Sequence, residues 1–76
     1  MHELQVRVGI RIAAARRARN LSQRDLSLLV GSATRTIQTW EAGQRHPRPD
    51  ALARVAAATG RPVSWFYEVE PDQAAA

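Results

Sequence analysis

The sequence predicts an all-α fold, a compact bundle of five helices. Apolar residues recur at spacings of three and four along successive segments, which is the period of an α-helix. Glycine, proline and serine stand between those segments, where helices stop and start. With 76 residues, the chain is long enough for a single modest core. We therefore expect one domain over residues 1–70 and a short disordered tail over residues 71–76.

The first helix is predicted over residues 3–18. Six residues recur at helical spacing and define its inward face: Leu4, Val8, Arg11, Ile12, Ala15 and Arg16. Gly9 lies inside this helix and costs about 1 kcal/mol relative to alanine. We expect packing of the inward face to hold the helix in spite of that cost.

The second helix is predicted to begin near Gln23. The Ser22 hydroxyl can accept a hydrogen bond from a free N–H of the first turn, and Asp25 within that turn complements the helix dipole. Three residues at positions i, i+3 and i+4 are expected to share the buried face: Leu26, Leu29 and Val30. Gly31 supplies the backbone freedom that a helix end needs.

A third helix follows this turn. Ile37 and Trp40 are three residues apart and share an apolar face, so we expect Trp40 in the core. The opposite face carries four polar side chains: Thr34, Arg35, Gln38 and Thr39. Arginine can bond guanine at two points, glutamine can bond adenine, and threonine offers a hydroxyl and a methyl group, so these four are predicted to contact DNA bases. Gly43 is expected to end the helix, and a loop with Arg45 and Arg48 follows.

The remaining segments predict two further helices. Pro49 suits the first position of a fourth helix that ends at Thr59 before Gly60. Its buried stripe is predicted from three residues: Leu52, Val55 and Ala56. A short fifth helix follows Pro62, with Ser64 as its cap. It carries the large residues Trp65, Phe66, Tyr67 and Val69.

The charge is concentrated in the body of the chain. The formal net charge is +4, but residues 1–67 hold all 11 basic residues against four acidic ones, a balance of +7. A basic body is typical of a nucleic-acid binder, although many other small proteins are basic as well. Every basic residue is arginine, which suits bidentate contacts to phosphate and guanine.

The composition argues against several classes of function. Without cysteine, the chain has no disulfide framework and no thiolate metal site, which fits a reducing cytoplasm. Its apolar runs are too short for a membrane span or a signal peptide. It has no paired-histidine metal spacing and no glycine-rich phosphate loop, so we expect neither an enzyme nor a cofactor.

The stretch over residues 21–47 resembles the XRE family, the helix-turn-helix proteins of the phage repressor and Cro type. The matching residues stand at the family's spacing without a gap: Leu21, Ser22, Gln23, Leu26, Gly31, Thr36, Ile37, Trp40, Glu41, Gly43 and Pro47. The resemblance extends over roughly residues 8–67. It implies a bundle of the lambda-repressor type whose third helix enters the major groove of double-stranded DNA.

The resemblance also implies roles for residues around the third helix. Phosphate contacts are expected from six residues: Arg19, Ser22, Gln23, Arg24, Arg45 and Arg48. Positions similar to Arg16 and Glu41 form a largely buried ion pair in the family. Relatives dimerise near the carboxyl end, where three aromatic residues adjoin: Trp65, Phe66 and Tyr67. One of the three is expected to face outward, and we assign Phe66 to this self-association surface; the alternative is that Phe66 packs in the core.

The chain departs from the family at Ala33, where a serine or threonine cap is typical. Either Ser32 or Thr34 must cap the third helix instead, or its start is shifted by one residue. The assignment of base contacts depends on this choice, because a shift of one residue rotates the outer face of the helix.

Together these observations predict a cytoplasmic transcriptional regulator, a repressor that binds a palindromic operator as a homodimer. One alternative is an antitoxin or restriction-modification controller that also binds a protein partner, such as a toxin. The other is a helix-turn-helix domain that has lost DNA binding and serves as a protein-interaction module. The polar outer face of the third helix disfavours this last alternative, since acidic or large apolar residues would be expected there.

Overall fold

The structure is a computed structural model that describes residues 3–68. It contains α1 (Glu3–Ala18), α2 (Gln23–Val30), α3 (Thr34–Glu41), α4 (Pro49–Thr59) and a 3-10 helix (Val63–Tyr67). The predicted all-α class is confirmed, and no strand occurs within residues 3–68. Val69 and the predicted tail over residues 71–76 lie outside the described residues.

The core lies where the four α-helices and the 3-10 helix meet. Its largest fully buried side chains come from all five elements: Phe66, Ile12, Leu26, Ile37, Leu52, Val8, Val30 and Val55. Each such side chain contributes about 1.5–3 kcal/mol by leaving water. Trp40 is also buried in this cluster, which confirms the sequence prediction for that residue.

The connections between the first three helices are tight turns at residues with positive φ. Asn20 has φ 57°, and the Leu21 N–H donates to the Arg16 carbonyl at 3.1 Å, which closes α1. Gly31 has φ 71° at the end of α2, and its N–H donates to the Ser27 carbonyl. Asparagine and glycine accept this left-handed conformation more readily than other residues.

Gly9 lets α1 approach the end of α3 closely. A Cβ at this position would collide with the carbonyl oxygen of Trp40 and would lie 3.1 Å from that of Glu41. The sequence indicated only a helix-weakening glycine. The structure shows that the missing side chain permits the contact between the two helices.

The predicted inward face of α2 is wrong at Leu29, which is 59% exposed. The buried residues of α2 are Leu26, Ser27 and Val30. Because α2 packs against both α3 and α4, it turns Ser27 toward α3, where the Ser27 and Thr34 hydroxyl oxygens lie 3.1 Å apart. Leu4 of the predicted inward face of α1 is likewise exposed.

The carboxyl-terminal segment corrects two further predictions. Ser64 lies inside the 3-10 helix, and Pro62 stands at the N-cap position without a side-chain cap. Phe66, expected on an outer surface, is fully buried in the core. A 3-10 helix turns once in about three residues, so neighbouring side chains diverge: Phe66 points into the bundle, and Trp65 packs edge-on against it at 5.1 Å between ring centroids.

Candidate nucleic-acid interface

The amino end of α2 is fixed by a reciprocal pair of hydrogen bonds. The Asp25 N–H donates to the Ser22 hydroxyl oxygen at 2.9 Å, and the Ser22 N–H donates to the Asp25 carboxylate at 2.9 Å. These bonds, the backbone one above all, hold the pKa of Asp25 below its usual value. A capping box of this kind satisfies two free donors of a helix start, so Ser22 and Gln23 stand on a rigid helix end.

The start of α3 resolves the question raised by Ala33. Ala33 occupies the N-cap position, and neither Ser32 nor Thr34 supplies a side-chain cap. The helix begins at Thr34, and the Ala33 carbonyl accepts the first N–H bonds, from Thr36 at 3.0 Å and from Ile37 at 3.2 Å. The outer face of the helix is therefore not shifted from the predicted one.

The four predicted base-contact residues differ in how available they are. Arg35 and Gln38 are exposed, and the Arg35 guanidinium forms no hydrogen bond or ion pair with the part of the chain that the structure describes. Thr34 and Thr39 are half-buried. The Thr39 hydroxyl donates to the Thr36 carbonyl at 2.8 Å, so its oxygen remains as an acceptor. Arg35 and Gln38 thus have the side chains best placed to meet a ligand.

A buried ion pair supports α3 from behind. Arg16 Nε and Nη2 donate to the two carboxylate oxygens of Glu41 at 2.7 and 3.0 Å. Arg16 also donates to the Leu21 carbonyl at 2.9 Å. The bidentate contact raises the pKa of Arg16 above its usual value, mainly through the hydrogen bonds to Glu41. Gln23 at the start of α2 also donates to Glu41, at 3.0 Å. The carboxylate of Glu41 therefore joins the end of α1, the start of α2 and the end of α3.

The predicted phosphate-contact residues do not all lie together. Gln23 is bonded to Glu41 at 3.0 Å, beside the start of α2, and Arg24 is exposed on the same helix. Arg19, in contrast, is held against the end of α4, where its Nε donates to the Thr59 carbonyl at 3.1 Å. Its guanidinium lies over Gly60, so the structure does not bring Arg19 to α2 and α3.

A polar groove of about 670 Å³ runs beside the carboxyl end of α3. Arg45 and Arg48 line it, together with Thr36 of the family motif and four residues without a predicted role: Gln5, Gln44, His46 and Arg54. Arg54 also pairs with Asp50 one turn earlier on α4, at 3.4 Å. α4 packs against α2, where Arg54 Nε donates to the Val30 carbonyl at 2.9 Å, and this packing brings Arg54 into the groove with the two loop arginines.

The three carboxyl-terminal aromatic residues are separated by the fold. Arginine side chains lie over the Trp65 ring, Arg11 at 4.4 Å and Arg61 at 4.0 Å from its centroid. Tyr67 is 38% exposed and packs near His46, with 6.2 Å between ring centroids. With Phe66 in the core, the outward aromatic surface is smaller than the sequence predicted.

The fold and the polar outer face of α3 define a DNA-binding protein of the helix-turn-helix class. Proteins of this class are transcriptional regulators. A family model described as helix-turn-helix matches residues 12–66, and the chain belongs to this family, in its XRE branch. This confirms the resemblance noted in the sequence.

Two solved structures are similar to the chain. The restriction-modification controller protein C.AhdI from Aeromonas hydrophila is 27% identical, with a TM-score of 0.79 over 83% of this chain and 96% of that one. The clp gene regulator ClgR from Corynebacterium glutamicum is 21% identical, with a TM-score of 0.80 over 83% of this chain and 67% of that one. A comparison with curated protein sequences gave no match. Among residues 3–68, no helix has both the length and the apolar character needed to cross a bilayer.

Proposed function

We propose that the chain binds a specific operator in double-stranded DNA and represses transcription from it in the cytoplasm. The observation that carries this proposal is the outer face of α3. Arg35 and Gln38 are exposed there, on a helix that is braced from behind by the Arg16–Glu41 pair. Because the helix backbone is already fixed, no backbone freedom is lost when these side chains meet base edges, which favours specific binding.

The surfaces on either side of α3 suit the phosphate backbone. Ser22, Gln23 and Arg24 stand at the start of α2, where free N–H groups and the helix dipole favour an anion. Arg45, Arg48 and Arg54 line the groove beyond α3. Phosphate contacts fix the position of a protein on the duplex, and base contacts then select the sequence.

We further propose that the protein acts as a homodimer on a palindromic operator. One recognition helix contacts only a few base pairs, too few to define a unique site in a genome. Two helices about 34 Å apart would contact successive major grooves of one operator. Trp65 and Tyr67 remain the proposed centre of the dimer surface, together with the exposed Val63.

A second candidate function is control of a restriction-modification system. The likeness to C.AhdI, which spans 96% of that chain at 27% identity, favours it. This second function shares the DNA-binding chemistry of the first proposal and differs from it in the genes that are regulated. An antitoxin role needs a surface for a protein partner, and the burial of Phe66 removes the centre of the patch that suggested one.

The test is selection of bound duplexes from a random DNA pool, followed by binding measurements with Arg35→Ala. The variant should lose about 1–3 kcal/mol on the selected operator and much less on random DNA, because it removes a base contact. Arg17→Ala is the matched control: it removes the same charge from an exposed position of α1 and should leave the operator preference unchanged. Equal losses on both DNAs would make Arg35 a phosphate contact, and a pool without enrichment would overturn the proposed function.

A further inference from the structure

A chain of side-chain hydrogen bonds leads from the buried ion pair to the surface of α3. The carboxylate of Glu41 accepts from Arg16 and also, at its Oε1, from Gln23 Nε2 at 3.0 Å. Gln23 Oε1 in turn accepts from Gln38 Nε2 at 3.4 Å. The series Arg16, Glu41, Gln23, Gln38 therefore begins inside the bundle and ends on the exposed outer face of the helix.

The chemistry of the groups gives this series a fixed direction. A carboxylate bonded to an arginine is ionised and can only accept, so Gln23 must turn its NH₂ group toward Glu41. The carbonyl oxygen of Gln23 then faces the other way. Because that oxygen can also only accept, Gln38 must turn its own NH₂ group toward Gln23. Each amide is oriented by the one before it, and the first is oriented by the ion pair.

The orientation decides which hydrogen-bonding groups Gln38 has left. A glutamine amide offers two N–H donors and one carbonyl acceptor. One donor is used by Gln23, so one donor and the acceptor remain. Adenine presents one acceptor and one donor in the major groove, at N7 and N6, which matches this pair. Guanine presents two acceptors, N7 and O6, and would need both donors.

We propose that Gln23 is a positioning residue that makes Gln38 select adenine over guanine. This inference rests on the proposed function, because it requires Gln38 to meet a base edge. A free amide can turn over about its last torsion and offer both N–H groups, so an unsupported glutamine tolerates either purine. Gln23 removes that freedom, although it need not touch a base itself.

The experiment compares base preference in wild type, Gln23→Met and Gln23→Glu. The operator position that meets Gln38 is identified as the one whose preference is lost in Gln38→Ala. At that position, wild type should favour adenine over guanine by about tenfold or more. Methionine keeps the length of the side chain but lacks the amide, and we expect the ratio in Gln23→Met to fall below about threefold, since the bidentate discrimination is lost.

Gln23→Glu supplies a rescue that a purely structural role would not give. Its carboxylate offers only acceptors, so it still holds the NH₂ group of Gln38 and should keep the adenine preference. The overall affinity of this variant should fall, because the new charge repels phosphate and Glu41. Arg24→Met is the matched control at the neighbouring position. It should weaken binding to every operator by the same factor and leave the adenine-to-guanine ratio at its wild-type value.

The outcomes separate the inference from the proposed function. If wild type selects an operator and Gln23→Met lowers affinity equally for adenine and guanine, Gln23 acts only on phosphate and the inference is wrong. The same holds if Gln23→Glu loses the preference as completely as Gln23→Met. If wild type enriches no sequence, the proposed function itself fails. Thermal melts accompany each variant, and Gln23→Ala replaces Gln23→Met if the methionine variant does not fold.

Discussion

Two ion pairs in this small domain differ in the environment of their charges. The side chains of Arg16 and Glu41 are 10% and 7% exposed, whereas those of Arg54 and Asp50 are 50% and 70% exposed. An exposed pair gains little, because water solvates both charges and salt screens them. Removing one member of a buried pair leaves the other charge without a partner in a low-dielectric site. An arginine–carboxylate pair therefore has different consequences in the two places.

We predict that Glu41→Ala lowers the free energy of unfolding by about 3–5 kcal/mol, because Arg16 then remains buried without its carboxylate. The measurement is urea denaturation followed by circular dichroism in the absence of DNA. Asp50→Ala is the control and should cost about 0–1 kcal/mol. Similar losses in the two variants would show that Arg16 reaches solvent when its partner is removed.

At the scale of elements, the contact between α1 and α3 depends on a residue without a side chain. Gly9 meets the last carbonyl groups of α3, and the Arg16–Glu41 pair joins the same two helices further along. Nearby, Gly43 permits a second, less close contact, since a Cβ there would lie 2.9 Å from a methyl carbon of Val6. The position of α3 is thus set by close contacts at glycines as well as by its polar bonds.

Gly9→Ala should destabilise the protein although alanine is the better helix former. We expect a loss of about 1–3 kcal/mol from the forced separation of α1 and α3. The control is the reverse change at an exposed position of the same helix, Ala14→Gly, which should cost about 1 kcal/mol through helix propensity alone. Thermal unfolding measures both. A Gly9→Ala protein more stable than wild type would mean that α3 shifts without cost.

At the scale of the whole molecule, the burial of Phe66 changes the choice of residue for testing the dimer. Phe66→Glu would place a charge in the core and unfold the monomer. Tyr67 is exposed and adjoins the same surface, so it can be changed without opening the bundle. A two-fold interface meets its own copy, and a new charge at its centre faces an identical charge.

We predict that Tyr67→Glu prevents formation of the proposed dimer while the monomer stays folded. Affinity for the full operator should fall, because the two half-sites are no longer bound as one unit, whereas binding to a single half-site should persist. Sedimentation of wild type and variant at matched concentration, together with circular dichroism, gives the result. Leu28→Glu, a change at an exposed leucine of α2, is the control and should leave sedimentation unaltered. A Tyr67→Glu protein that sediments like wild type would show that the interface lies elsewhere.

The sequence predicts those features that depend on local chemistry. Ser22 and Gly31 bound α2, and the polar outer face of α3 follows from the period of the helix. The features that it did not predict depend on packing between elements. Whether Phe66 or Tyr67 faces inward depends on the 3-10 geometry of the last element, and Leu29 is exposed because α2 presents Ser27 to α3. Arg54 reaches the groove through the tertiary placement of α4, which packs against α2.

The bonds between the two ends of the described chain have a consequence for folding during synthesis. Arg7 donates to the Tyr67 carbonyl at 3.1 Å and Arg11 to the Glu68 carbonyl at 3.0 Å, and Phe66 fills the core between them. A nascent chain that has reached only Gly60 already contains α1 to α4 but exposes the apolar surface that Phe66 covers. The bundle is therefore expected to close as one cooperative unit only after residues 63–68 have left the ribosome.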